Sequence, residues 1–141
     1  MLRARPGNRK IDETMAIKIM VIEDDQTMQK LLQTLLEFEG FRVAVLEKEE
    51  TLGHTIAAIR QERPEIVLLD YYLRKLNGLE LLSAIRKDEE IGSIGVIITS
   101  GADVASLCLD AGANSFILKP FMADELVKTI RKVMDELSIL E

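Results

Sequence analysis

The chain has 141 residues, enough for one domain with a single hydrophobic core; 48% of them are hydrophobic and 30% are charged. These proportions exclude a disordered chain, and no apolar run reaches the ~20 residues that a membrane span needs. The net charge of −6 is unevenly distributed, because residues 1–14 carry +2 and the remainder −8. The acidic body argues against nucleic acid as the main partner, since phosphate backbones require clustered Lys and Arg.

Residues 1–15 precede the first periodic pattern and include four basic side chains. We expect this stretch to be a flexible basic tail, because it lacks the apolar segment of a signal peptide and lies outside the predicted fold. The single cysteine, Cys108, is expected to be packed in its helix and suits a reducing compartment, where disulfides are rare. We therefore expect a cytoplasmic protein with one folded domain over residues 16–138 and no output domain.

Five short apolar runs alternate with helical patterns along the chain. The predicted strands are Lys18–Ile22, Arg42–Leu46, Ile66–Leu69, Gly95–Thr99 and Ser115–Leu118. The helical patterns cover residues 26–40, 49–64, 77–87, 102–112 and 123–140. Three strands are nearly all apolar, as expected for strands buried on both faces of a parallel sheet. The alternation predicts a doubly wound α/β fold with helices on both faces.

Local signals mark the helix boundaries. Gly40 and Gly112 are expected to end the first and fourth helices, because glycine readily adopts the left-handed conformation that follows many helices. Asn77 is a preferred residue for capping the third helix. Gly78, directly after it, is expected to permit a tight entry into that helix.

Polar side chains lie at the carboxyl ends of four predicted strands, the edge where open α/β sheets bind ligands. In chain order they are Glu23, Asp24, Asp70, Thr99, Ser100 and Lys119. Carboxylates held close together repel one another, and a divalent cation such as Mg²⁺ removes that repulsion. A carboxylate can also accept a phosphoryl group, whose oxygens then need a metal, an ammonium group and a hydroxyl to neutralise them. The set is therefore typical of phosphoryl transfer to an aspartate.

Each of these residues also has an ordinary structural interpretation. Asp24 or Asp25 could cap the first helix, Thr99 could be a plain strand residue and Lys119 a surface lysine. Their conjunction at one edge favours a site. His54, on the weak second helix, we interpret as a solvated residue.

Four segments resemble the receiver domain of two-component response regulators: KIMVIEDD, PEIVLLDYYLRKLNGLELLSAIR, GVIITS and GANSFILKPF. The resemblance covers nearly the whole chain, from Ala16 to Leu137. It implies a flavodoxin-like five-stranded sheet with strand order 2-1-3-4-5. It also implies a stand-alone regulator that takes a phosphoryl group, with Mg²⁺, from a histidine kinase or a histidine phosphotransfer protein. Such a domain is not an enzyme, although it assists its own phosphorylation and dephosphorylation.

The resemblance sorts the candidate residues into three groups. The catalytic and phosphate-binding group is Asp70 as phosphoacceptor, with Thr99, Ser100 and Lys119. The metal group is Glu23, Asp24, Asp70 and the backbone carbonyl of Tyr72. The switch group is Thr99 and Phe116. The Lys119–Pro120 peptide bond is expected to be cis.

Three positions depart from the family pattern. Arg74 stands where proline is frequent, so the loop after Asp70 is expected to be less rigid, and Gly95 stands where proline often precedes the fourth strand. Lys119 follows Thr99 by 20 positions, slightly fewer than usual. We expect the missing residues in the fourth βα loop or its helix, which belongs to the usual signalling face.

Other functions stay open at this point. A docking module that never turns over phosphate would not need the complete acceptor set. A phosphatase with an Asp nucleophile usually has a second Asp two residues on as general acid, and this chain has Tyr72 there. A nucleotide-binding domain is disfavoured because the first turn, EDDQTM, has no glycine. We expect the signal to leave through contact with an unidentified protein target, without direct DNA binding or a membrane span.

Overall fold

The computed structural model describes residues 16–48 and 51–140, in which five strands alternate with five helices. The strands are β1 (Lys18–Ile22), β2 (Arg42–Leu46), β3 (Ile66–Asp70), β4 (Gly95–Ser100) and β5 (Ser115–Leu118). The helices are α1 (Gln26–Phe38), α2 (Leu52–Glu62), α3 (Gly78–Lys87), α4 (Ala105–Asp110) and α5 (Ala123–Leu140). The expected basic tail over residues 1–15 lies outside the described residues.

All strand pairs are parallel, and the sheet order is β2-β1-β3-β4-β5, which confirms the predicted fold. The strands β1, β3 and β4 are almost entirely buried, whereas β2 at one edge is half-buried throughout. This distribution explains why three of the five strands read as nearly continuous apolar runs. Within the described residues, no helix has both the length and the apolar composition needed to cross a bilayer.

Each face of the sheet has its own hydrophobic core. One core packs α1 and α5 against the sheet through Leu32, Leu36, Leu126, Ile130 and Val133. The other packs α2, α3 and α4 against the opposite face through Ile56, Ile59, Leu81, Leu82, Ile85 and Cys108. Helices therefore cover both faces, and the carboxyl ends of the strands meet at one open edge.

The predicted boundaries need three corrections. β3 and β4 each run one residue further than predicted, because β3 pairs with β4 as far as Asp70–Thr99 and β4 pairs with β5 as far as Ser100–Leu118. α4 is shorter than predicted, since the chain stays irregular before Ala105. α2 begins after the cap residue Thr51 and ends before Arg63, which adopts the left-handed region with φ of 50°.

Candidate functional site

The candidate acceptor aspartate, Asp70, lies at the end of the central strand β3, beside the end of β4. Asp70 and Thr99 are register partners, and the Tyr71 amide donates a hydrogen bond of 2.9 Å to the Thr99 carbonyl. Partners in a parallel ladder present their side chains on the same face. The strand geometry alone therefore brings the Asp70 carboxylate and the Thr99 hydroxyl to one place.

Lys119 joins this edge from the end of β5. Its Nζ atom lies 3.4 Å from Oδ2 of Asp70 and 3.3 Å from Oε1 of Glu23. Its backbone amide donates to the Ser100 carbonyl at 2.8 Å, which continues the β4–β5 pairing. The following bond to Pro120 is cis, as expected. The Lys119 ammonium group thus forms ion pairs with the carboxylates of both Asp70 and Glu23.

Glu23 is buried at the end of β1, and its carboxylate also accepts a hydrogen bond from the Asp25 amide at 3.2 Å. Burial raises the pKa of Glu23 above its ordinary value, and the charge of Asp70 adds to the rise. The Asp25 amide and the Lys119 ammonium oppose it without cancelling it. The site therefore holds more negative charge than its lysine compensates, which favours a bound cation.

The loop between β3 and α3 is tied down at several points. The Arg74 amide donates to Oδ2 of Asp24, and the Tyr72 amide donates to Oδ1 of Asp70 at 3.2 Å. A proline at position 74 could not make the first bond, because it lacks an N–H group. Arg74 in place of the frequent proline predicted a looser loop. Its backbone amide instead links this loop directly to Asp24, which follows β1.

Gly78 closes the same loop. Its amide donates to the Tyr71 carbonyl at 3.1 Å, and a bridge links Tyr72 with Asn77. A Cβ atom on Gly78 would lie 2.9 Å from both the Cα and the carbonyl oxygen of Tyr71. Glycine is required here by this close approach, and the Asn77 side chain then caps α3 by accepting from the amides of Leu79 and Glu80.

The two hydroxyl residues at the end of β4 have different surroundings. Thr99 is only 4% exposed, and within the described residues its hydroxyl makes no hydrogen bond. Ser100 is fully buried, and its Oγ accepts from the Ala102 amide at 3.0 Å. Thr99 therefore offers an unused donor beside Asp70, whereas Ser100 is already engaged in the turn that follows the strand.

Two aromatic candidates differ in their exposure. Tyr72 is 62% exposed, and its ring meets the Tyr71 ring edge-on with centroids 4.7 Å apart. Phe116 is half-buried against the core that includes Cys108 of α4. Phe116 is also the register partner of Ile98, one residue before Thr99.

The described residues contain no group of three acidic, histidine or cysteine side chains arranged to hold a metal ion. Because Glu23 is paired with Lys119, the oxygens expected to hold a cation are the carboxylates of Asp24 and Asp70 and the Tyr72 carbonyl. These are hard oxygen donors, and Mg²⁺ characteristically combines one or two carboxylates with several waters. The donor set fits Mg²⁺ in its chemistry.

Sequence reasoning left one contributor to the site undecided and missed two others. Asp25 caps α1 by accepting from the Met28 amide at 3.1 Å, which settles which aspartate has that role. The side-chain amide of Gln29 donates to the Glu23 carbonyl and so fixes the end of β1. The Arg74 amide orients Asp24. Only Asp25 could be recognised from the sequence, because aspartate is a preferred helix cap. Gln29 and the Arg74 amide could not, since their sequence positions do not differ from those of ordinary helix or loop residues.

Comparison with known proteins identifies the family. The model of the response regulator receiver domain matches residues 19–131, and the chain belongs to that family. The DNA-binding response regulator MtrA of Mycolicibacterium smegmatis is 33% identical over 121 residues, which are 84% of this chain and 51% of that protein. The transcriptional regulatory protein CpxR homolog of Haemophilus influenzae is 35% identical over 120 residues, covering 83% and 50%. The chain thus spans about half the length of these curated relatives.

Solved structures give the same assignment. A CheY-like response regulator receiver domain from Methanospirillum hungatei has a TM-score of 0.78 and 27% identity, covering 89% of this chain and 99% of that one. A receiver domain from Clostridium thermocellum has a TM-score of 0.78 and 25% identity over the same shares. Receiver domains are regulatory modules of two-component systems that work with histidine kinases and typically bind Mg²⁺ for phosphorylation.

Proposed function

We propose that this chain is a phosphoacceptor switch that receives a phosphoryl group on Asp70, with Mg²⁺, from a histidine kinase or a histidine phosphotransfer protein. The observation that supports it is the group around Asp70: the Lys119 ammonium at 3.4 Å and the buried, unused hydroxyl of Thr99. An ammonium and a hydroxyl donor are what the equatorial oxygens of a phosphoryl group require.

In the proposed reaction, a carboxylate oxygen of Asp70 attacks the phosphorus of a phosphohistidine. The new bond is the P–O bond of an acyl phosphate, and the broken bond is the P–N bond, whose electron pair returns to the imidazole. The Tyr72 amide, which donates to Oδ1 of Asp70, holds the carboxylate in place. Lys119 and Thr99 then contact the transferred oxygens. Ser100 has less capacity to contribute, because its hydroxyl is engaged by the Ala102 amide.

The metal would be held by Asp24, Asp70 and the Tyr72 carbonyl, with Glu23 acting through water. Mg²⁺ supplies further charge neutralisation when bound. When Lys119 moves to contact the phosphoryl group, the buried carboxylate of Glu23 loses its ion-pair partner. The cation would then offset that charge, which ties metal binding to phosphorylation.

The signal leaves by protein contact. In this proposal Thr99 gains a phosphoryl oxygen as partner, and Phe116 follows into the space that Thr99 vacates, which alters the face formed by α4, β5 and α5. The domain acts in the cytoplasm and does not itself bind DNA, since its residues after the first 14 carry a net charge of −8. The partner is a protein that recognises this face.

Acetyl phosphate with Mg²⁺, followed by intact-mass measurement, tests the proposal. The wild type should gain the mass of one phosphoryl group, and Asp70→Asn should gain none. Asp135→Asn, an exposed change on α5, is the matched control and should be modified like the wild type. Modification that persists in Asp70→Asn would refute the acceptor assignment. A wild type that binds Mg²⁺ but takes no phosphoryl group would favour the docking-module alternative.

A further inference from the structure

Arg86, in the last turn of α3, makes an extensive hydrogen-bond network at the opposite edge of the sheet from Asp70. Its guanidinium donates to the carbonyls of Gly112 at 3.0 Å, Gly92 at 3.0 Å and Ile94 at 2.7 Å, and to Oδ1 of Asn114 at 2.9 Å. All four acceptors are neutral oxygens, and none of the ion pairs among the described residues includes Arg86. Burial lowers the pKa of Arg86, but an arginine stays charged at neutral pH.

This network reaches the point where α4 ends. Gly112 has a φ of +112°, and its amide donates to the Leu109 carbonyl while the Ala113 amide donates to the Cys108 carbonyl. These two bonds form the glycine-terminated helix end described for many proteins. Because Arg86 binds the Gly112 carbonyl, the C-terminal end of α4 is fastened to α3.

The same network fastens α4 to the sheet. The side-chain oxygen Oδ1 of Asn114 accepts from the Val96 amide at 2.8 Å as well as from Arg86. The backbone amide of Asn114 donates to the Val96 carbonyl, also at 2.8 Å. Charged donors make stronger hydrogen bonds than neutral ones, and these are partly buried. We call these contacts of Arg86, Gly112 and Asn114 the Arg86 anchor.

The N-terminal end of α4 lacks a comparable attachment. Residues 101–103 are exposed, and Val104 forms no side-chain cap on the helix. Among the described residues, the side-chain hydrogen bonds in this segment are local ones, from the Ala102 amide to Ser100 Oγ at 3.0 Å and from the Ala105 amide to Asp103 at 3.3 Å. Within the helix, Cys108 is the one fully buried residue. This weakly attached end of α4 comes shortly after Thr99 and Ser100 in the chain.

We propose that Arg86 is a positioning residue of the switch: it fixes the C-terminal end of α4, so that a phosphoryl group on Asp70 moves the N-terminal end of the helix about Gly112. The anchoring part of this inference stands on the unphosphorylated structure, and the switching part rests on the proposed function. With only the C-terminal end of α4 fixed, the movement is confined to the segment nearest Thr99.

Hydrogen exchange on the unphosphorylated protein tests the anchor. Arg86→Met keeps the aliphatic stem and removes the donors, and Lys87→Met, the exposed neighbour on the same helix, removes the same charge as a control. We expect the amides of residues 112–114 to exchange ~tenfold faster in Arg86→Met, with α5 amides unchanged. Unchanged exchange at residues 112–114, or an equal acceleration in Lys87→Met, would overturn the anchor. If Arg86→Met does not fold, Arg86→Lys replaces it with the same expected outcomes, because one ammonium cannot span four acceptors.

Amide shifts on adding beryllofluoride and Mg²⁺, which mimic the phosphorylated state, test the switching part. In the wild type we expect large shifts over residues 101–107 and small ones over residues 111–114, and in Arg86→Met we expect them to spread to residues 111–114. Equal shifts at both ends of α4 in the wild type, or an unaltered pattern in the variant, would overturn it. A wild type without any shifts would refute the proposed function and the switching part together, while the exchange experiment would still decide the anchor.

Discussion

Asp70 and Thr99 are paired at the last position of the β3–β4 ladder, so a group added to the Asp70 carboxylate would lie beside the Thr99 side chain. The Thr99 side chain is buried and its hydroxyl has no partner within the described residues. A buried, unsatisfied hydroxyl is unfavourable, because its lost contacts with water are not replaced. A phosphoryl oxygen on Asp70 would give the Thr99 hydroxyl a partner.

Thr99→Val tests this relationship, because valine keeps the shape and removes the hydroxyl. We expect the unphosphorylated variant to be as stable as the wild type or more stable, by up to about 1 kcal/mol. Its amide shifts on adding beryllofluoride should become smaller over residues 101–107. Thermal unfolding and NMR titration measure the two effects.

Thr99→Ser is the control for this experiment, because it keeps the hydroxyl, and it should retain the response. A loss of stability in Thr99→Val would show that the hydroxyl already has a partner in the resting state.

Phe116 should carry the response from the site to the face formed by α4, β5 and α5. Phe116→Leu is expected to leave the extent of phosphorylation unchanged but to confine amide shifts to residues close to Asp70. Phe121→Leu changes an aromatic residue packed in the opposite core and is the matched control. Shifts that still reach α4 in Phe116→Leu would exclude Phe116 from the switch.

Asp24 should provide a ligand for Mg²⁺, and Asp24→Asn should weaken Mg²⁺ binding roughly tenfold, since one anionic ligand is lost. NMR or fluorescence titration of the unphosphorylated protein measures the affinity. Asp25→Asn is the control for a nearby loss of charge, because Asp25 is the neighbouring residue and asparagine also caps helices well. Equal Mg²⁺ affinities in Asp24→Asn and the wild type would remove Asp24 from the ligand set.

The parallel sheet and the edge that carries the candidate site could be predicted from the alternation of apolar runs and helical patterns, whereas the order of strands came from the family resemblance. The residues that fix the geometry could not. Arg74 stands where a rigid proline is frequent, yet its amide holds Asp24, and no sequence signal distinguishes Arg86 from the other charged residues of its helix. Their partners are backbone atoms that come close only in the folded chain, and sequence periodicity carries no information about them.

Asp88, at the end of α3, should make stability depend on pH. The Arg60 side chain, at 2.6 Å, holds the pKa of Asp88 below its ordinary value of 3.8. A depressed pKa stabilises the fold above the pKa of the unfolded state, and this contribution is lost as the pH falls through the folded value. Asp88→Asn should therefore lower the melting temperature slightly at pH 7, and the difference from the wild type should shrink below about pH 4.

Melting temperatures of wild type and Asp88→Asn across this pH range measure the effect, with Asp135→Asn as an exposed control that should show no such trend. A difference that stays constant down to pH 3 would assign the loss to hydrogen bonding rather than to charge.

Tyr72 should control how long the phosphoryl group survives. It follows Asp70 by two positions, and its ring meets the Tyr71 ring edge-on. Hydrolysis needs a water in line with the breaking P–O bond, and a ring over that approach excludes it. Gly101, two positions after Thr99, has no side chain to orient a replacement water.

We therefore expect a comparatively long-lived phospho-Asp70 and a several-fold faster loss of phosphate in Tyr72→Asn. A several-fold change corresponds to about 1 kcal/mol in barrier height, a reasonable size for placing one water. Tyr72→Phe keeps the ring and should retain the slow rate, which separates the effect of the ring from that of its hydroxyl. Autodephosphorylation at saturating Mg²⁺ measures all three proteins. Since 62% of Tyr72 is exposed, equal rates in the wild type and Tyr72→Asn would mean that the ring faces solvent and that Tyr72 contributes only its backbone carbonyl.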